Sequence, residues 1–261
     1  MRQQEARFTT ETDQAHGRLY EVEEWIRVGR SVTVPEGFRK TPLRVAVKTG
    51  FHSLIELLLR HEESTKAKNE FLGQAVHMRR PDLVELAVKY GAETTSVSFV
   101  DALLSWDRSI ASFFLERGAD LLNVPFAQAF CERVRTALGC YIDCKHDRPD
   151  LEPQLQEQAN IALRQFCREG NLKWVSLLMW IGADPSAHGP TLEYLDDPDM
   201  CTTALHEVCV SGHLDVLKRL KPDPNRDGLG SLLLSAAMFG HQDIISYLPL
   251  QPGDDQGRQL R

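Results

Sequence analysis

Apolar residues recur along most of this chain in short helical stripes separated by turns. The stretch 203–220 shows the unit plainly. Thr203, Ala204, Leu205 and His206 open a helix rich in small residues, Gly212 and His213 make a turn, and Leu214, Leu217 and Leu220 place an apolar stripe on a second helix. Such a pair of helices is too small to enclose a core of its own, so copies must stack on one another.

With the turn glycine as a ruler, the same pattern runs through the chain. Gly17 is followed by Leu19, Val22, Trp25 and Ile26, and Gly50 by Leu54, Ile55, Leu58 and Leu59; the two turns lie 33 residues apart. The segment ahead of Gly17 is too polar to be sandwiched and reads as an N-terminal cap. The next two units keep their stripes (Leu83, Val84, Ala87, Val88, then Ile110, Ala111, Phe114, Leu115) but put Arg79 and Trp106 where the turn wants glycine. A left-handed backbone favours glycine, so these two turns are expected to be strained or differently shaped. Spacings of 29 residues from Gly50 to Arg79 and 27 from there to Trp106 leave no room for a projecting hairpin between repeats.

From Trp106 to Gly170 there are 64 residues and no visible turn. Residues 124–145 read as one long helix, followed by a Pro-rich charged linker. The region is either a degenerate repeat or an inserted helical pair. Regularity returns at Gly170, Gly212 and Gly240. The 42 residues from Gly170 to Gly212 carry a surplus that falls in 185–200 as a long acidic loop. Pro249 stops the last helix and a polar tail follows. The expected organisation is 1–120, a capping repeat with three further repeats; 121–160, the insertion or degenerate repeat; 161–248, three C-terminal repeats; and 249–261, the tail.

The residues that carry the pattern resemble the ankyrin repeat. Thr41-Pro42-Leu43 and Thr203-Ala204-Leu205-His206 stand where that family has Thr-Pro-Leu-His. Ala46-Val47 and Ala236-Ala237 match its alanine pair, and Gly212-His213 and Gly240-His241 match its Gly-His turn. The resemblance covers about residues 13–248, is strong in the repeats turning at Gly50, Gly170, Gly212 and Gly240, and is weak in between. It implies an all-α ankyrin-repeat solenoid of about seven stacked helix-turn-helix units, some degenerate, with an irregular helical insertion or degenerate repeat in the middle. It also implies a protein that binds other macromolecules through hairpin tips and the exposed edge of its first helices.

Charge changes the picture locally. The net charge of −7 offers no general attraction to nucleic acid or anionic membranes. From Gly182 to Leu217 there is no Lys or Arg but seven Asp and Glu, whereas from Arg30 to Arg80 ten basic residues meet five acidic ones. No apolar run reaches the roughly 18 residues of a membrane span, and no signal peptide is visible. Six cysteines without a dense spacing pattern read as reduced thiols in a cytoplasmic protein.

No phosphate-binding loop, nucleophile elbow, His-Glu-x-x-His motif or dinucleotide fingerprint occurs, and no residue presents itself as a catalyst. Cys140, Cys144 and His146 form a C-x3-C-x-H cluster. It lacks the second ligand pair of a structural zinc site and reads first as two half-buried helical thiols, with a metalloprotein or thiol enzyme as the alternative function. His206 reads as structural, its ring bonded to backbone. No metal or cofactor is expected. In the family that this chain resembles, the two residues before each turn line the concave surface. Here they are Lys48 and Thr49, His77 and Met78, Leu104 and Ser105, Arg168 and Glu169, Val210 and Ser211, Met238 and Phe239. Five of these twelve are apolar, an unusual share for a helix surface, which suggests a partner groove. Glu193, Asp196, Asp197 and Asp199 of the acidic loop add a docking surface for a basic protein. The expected function is a non-catalytic protein-binding scaffold acting as adaptor, inhibitor or effector.

Overall fold

In the computed structural model the described residues are 19–33, 41–49 and 51–248, and all their regular structure is helical apart from one isolated bridge. The turns expected at Gly17 and Gly50 lie outside the described residues. The chain divides into two compact units at Asp120 and Leu121.

The first unit holds α1 (Leu19–Arg27), α2 (Pro42–Thr49), α3 (His52–His61), α4 (Thr65–His77), α5 (Pro81–Lys89), α6 (Phe99–Leu104) and α7 (Arg108–Glu116). Helices α2, α4 and α6 pack side by side as one layer, and α1, α3, α5 and α7 as the other. The starts are set by side chains that satisfy free amides. Ser64 accepts from the amide of Ala67, Ser98 from that of Asp101, and Asp107 from those of Ser109 and Ile110. The stripes read from the sequence are inside: Leu54, Ile55, Leu58 and Leu59, then Leu83, Val84 and Ala87, then Ile110, Ala111 and Phe114 are buried. Burying each large aliphatic or aromatic side chain contributes about 2 kcal/mol. Helix α1 has no fully buried residue.

The expected hairpin reduction is visible. Only Glu62–Ser64 separate α3 from α4, and a 3-10 turn, Thr94–Ser96, lies between α5 and α6. Asn69 secures that turn by accepting the amide of Glu93 at 2.8 Å.

The second unit holds α8 (Pro125–Cys131), α9 (Thr136–Asp147), α10 (Glu152–Glu169), α11 (Leu172–Trp180), α12 (Ala204–Ser211), α13 (Leu214–Leu220), α14 (Leu229–Met238) and α15 (Gln242–Tyr247). Helices α8, α10, α12 and α14 stack in order, with α11, α13 and α15 behind the last three. The single helix expected over 124–145 is instead two. Arg133 takes a φ of +62° between α8 and α9, and the amide of Val134 reaches back to the carbonyl of Ala129. The same bond, from the residue after the turn to the carbonyl five back, closes the turns at Arg79, Gly170, Gly212 and Gly240. The turn was invisible in the sequence because an arginine holds it.

Helix α10, 18 residues long, organises this unit. Phe126, Phe130, Tyr141 and Trp174 meet around it as edge-on or tilted pairs, and Phe166 stacks on Trp174 at 5.2 Å between centroids. Burial pushes the Tyr141 phenol up to about 12, and its hydroxyl donates to the carbonyl of Leu155. Three buried polar residues of α10 satisfy backbone groups of flanking loops. Gln158 accepts the amide of Phe126 and donates to Leu121, Asn160 accepts the amide of Asp184, and Arg164 holds the loop described next.

Candidate protein interface

The long acidic loop is a built finger. Arg164 is 1% exposed within α10 and donates Nε to the carbonyl of Pro190 at 2.7 Å, Nη1 to that of Ala187 at 3.1 Å and Nη2 to Glu157. Gly189 lies against this guanidinium; a Cβ there would sit 2.8 Å from Nη2. Gly189 and Thr202 exchange backbone hydrogen bonds at 3.0 and 2.8 Å, closing the finger at its base. Ser186 donates to Asp227, and Arg226 pairs with Asp184, so the next inter-repeat loop braces the base as well. Two 3-10 turns, Leu192–Tyr194 and Pro198–Met200, shape the tip.

Of the four acidic residues singled out in this loop, Asp196, Asp197 and Asp199 are exposed, and Asp197 caps the amide of Asp199 at 3.0 Å. Glu193 is also exposed, but it turns inward and accepts from Nη1 of Arg168 at 3.1 Å. The same guanidinium donates Nε to the buried carboxylate of Glu207 at 2.9 Å, and that hydrogen bond, with the charge of Glu207, raises the pKa of Arg168. Arg168 is therefore an internal tie between α10, α12 and the finger. Interleaved with the acids are Tyr194, Leu195 and Met200, each 37–46% exposed. Sequence reasoning passed over these three because loop residues show no periodicity to set apolar anchors apart from core.

The residues before the turns separate into groups. Lys48, His77, Met78, Glu169, Met238 and Phe239 are exposed, Met238 at 74% and Phe239 at 58%. Leu104, Val210 and Ser211 are half-buried, and the side chain of Thr49 lies outside the described set. Ser105 is buried: its hydroxyl donates to the carbonyl of Ala102 and accepts the amide of Asp107, so it closes its own turn and has no surface to offer. Glu169 pairs with Arg133 at 3.2 Å.

Histidines do the joining between repeats, though the ring of His206 bonds to the hydroxyl of Thr202 rather than to backbone. The backbone role falls to the histidines after the turns. Nε2 of His213 donates to the carbonyl of Arg168 at 3.1 Å, and Nε2 of His241 to that of Val210 at 2.9 Å. A carbonyl only accepts, so the proton is on Nε2 in both rings.

The cysteine cluster does not assemble. Cys140 and Cys144 are buried on α9 while the His146 side chain is 86% exposed, and no group of three metal-ligating side chains occurs among the described residues. Desolvation raises the thiols of Cys131 and Cys209 to about 12 and pushes those of Cys144 and Cys167 up as well. A thiolate is the nucleophile, so these sulfurs are unreactive in the folded chain. Iodoacetamide at pH 7.5 is expected to alkylate half-exposed Cys201 first, with Cys140, Cys144, Cys167 and Cys209 modified only after denaturation, as peptide mass spectrometry reads directly. Rapid native labelling of Cys144 would contradict this.

No family model and no curated protein matches the sequence. Solved structures do. The ankyrin repeat domain of human ASB11 is 16% identical, with 82% of this chain and 98% of that chain covered and a TM-score of 0.52. The ankyrin repeat domain of Bcl-3, a member of the IkappaB protein family, is 19% identical, covering 90% and 96% at a TM-score of 0.40. The likeness to ASB11, with the paired helices and repeated left-handed turns, makes this an ankyrin-repeat fold. No helix among the described residues is long and apolar enough to cross a membrane.

Proposed function

We propose that this chain is a non-catalytic protein-binding scaffold whose main contact is the acidic finger, and that its partner presents a basic surface with an apolar cleft. The observation that carries this reading is the anchoring of the finger by Arg164. A solvated loop needs no buried arginine; a loop held in one shape loses little entropy on binding. Its tip offers Asp196, Asp197 and Asp199 for steering and Tyr194, Leu195 and Met200 as anchors. Met238 and Phe239 form a second apolar patch in the same unit, suited to extending the contact.

The test is affinity capture from native lysate with three baits: wild type, an Asp196→Asn/Asp197→Asn/Asp199→Asn variant, and a Met238→Glu/Phe239→Lys variant. One protein retained by wild type, lost by the finger variant and released at raised salt supports the reading. Equal retention by wild type and finger variant rejects it, and loss by the Met238/Phe239 variant alone would move the contact to that patch.

A further inference from the structure

We infer that the first unit carries a separate docking edge for an acidic peptide segment bearing an aromatic or large aliphatic anchor, and that Arg79 and Trp106 are its central residues. Both hold the left-handed position of their turns, at φ +57° and +60°. A non-glycine residue there is strained relative to its usual conformation. The equivalent turns at Gly170, Gly212 and Gly240 use the residue that removes this strain. Arg79 is exposed and Trp106 is 44% exposed, so each returns only part of the burial its side chain could. Arg133 holds the same turn position at φ +62° and pairs with Glu169 at 3.2 Å, whereas the Arg79 side chain has no such partner among the described residues, which leaves its charge available to a ligand.

The surroundings define what that ligand is. Arg79 and Lys48 are exposed, and among the described residues neither side chain has an ion pair or hydrogen bond. The nearby carboxylates are already engaged. Asp82 is held by Arg80 through two hydrogen bonds that lower its pKa, Asp107 caps α7, and Asp101 accepts from the hydroxyl of Ser98. Met78, 42% exposed, precedes Arg79 at the end of α4, and Trp106 follows α6, the next helix of the layer, so apolar surface adjoins the Arg79 side of this pair. Helices α2, α4 and α6 are neighbours in their layer, so their C-terminal ends form one row. Two uncommitted cations beside a methionine, with an exposed aromatic at the next turn, fit a chain with the opposite charge and its own apolar side chain. The net charge of −7 works against general capture of an acidic ligand, so binding would report this edge.

The probe is fluorescein-labelled random poly(Glu,Tyr), compared with poly-Glu and poly-Lys by fluorescence anisotropy at low and physiological salt. Wild type is expected to bind poly(Glu,Tyr) more tightly than poly-Glu, more weakly as salt rises, and Arg79→Gly to weaken it about three- to tenfold. Arg79→Gly should fold at least as stably as wild type, which separates binding from folding. Trp106→Asn, a residue that tolerates the left-handed turn, should remove the preference for poly(Glu,Tyr) over poly-Glu. No preference over poly-Lys in wild type, or unchanged affinity in both variants, overturns the proposal. A lower stability of Arg79→Gly overturns the argument from strain. The finger variant of the second unit should bind this probe normally, so the two surfaces stand or fall independently.

Discussion

Arg164→Leu is expected to lower the stability of the second unit by about 2–5 kcal/mol, chiefly because two buried carbonyls lose their donor. Leucine keeps apolar volume but donates nothing. The carbonyls of Pro190 and Ala187 lose their donors at 2.7 and 3.1 Å, at a cost of about 1–3 kcal/mol for each that remains out of water, and Glu157 loses its cation. Lysine is a poor substitute, because its single nitrogen cannot follow the fork that reaches three acceptors. Glu157→Gln should cost much less, since that side chain is 41% exposed and the amide oxygen still accepts. Urea denaturation followed by circular dichroism measures both variants, and limited proteolysis adds the local reading, with cleavage expected in 186–200 of Arg164→Leu before any cut in the helices. A change below about 1 kcal/mol with an uncut finger would mean the guanidinium does not anchor it, and the proposed function would lose its support.

The finger shows where the sequence was legible and where it stopped. Its existence and charge followed from the surplus spacing between Gly170 and Gly212, because an ankyrin-like period leaves extra residues nowhere else to go. Its rigidity did not. Arg164 sits in the run Ala162-Leu163-Arg164-Gln165-Phe166, and a charge there reads as a solvated face until a loop from 23 to 26 residues downstream is seen to fold over it. Buried stripes such as Leu54, Ile55, Leu58 and Leu59 were readable because helical periodicity is a local property. The turn at Arg133 was hidden for the converse reason: stacking of α8 on α10 imposes the left-handed backbone on a residue whose own preference is against it. Ser105 was misplaced by the same shortage of long-range information, since whether a serine before a turn faces out or bonds back depends on where its hydroxyl finds an acceptor.

Gly170→Ala and Gly118→Ala should differ sharply although their backbones are alike, with φ values of +70° and +76°. Both alanines incur the left-handed penalty of about 1–2 kcal/mol. At Gly118 nothing lies within 4 Å of the added methyl, so the cost ends there. At Gly170 the Cβ would sit 2.6 Å from Cε1 of His213, a residue of the following repeat. The ring must move and give up its 3.1 Å bond to the carbonyl of Arg168, which brings the total to about 3–4 kcal/mol. A double-mutant cycle isolates the interlock: in a His213→Ala background the clash is gone, and Gly170→Ala should fall back to the cost seen at Gly118, a coupling of about 2 kcal/mol. Additivity within about 0.5 kcal/mol would show that the ring yields freely. Gly212 and His241 repeat the arrangement one step along, with the ring bonded to Val210. Gly170 and Gly212 are therefore each half of a joint whose other half lies in the next repeat, and those joints set the spacing at which Arg168, Val210 and Met238 follow one another along the stack.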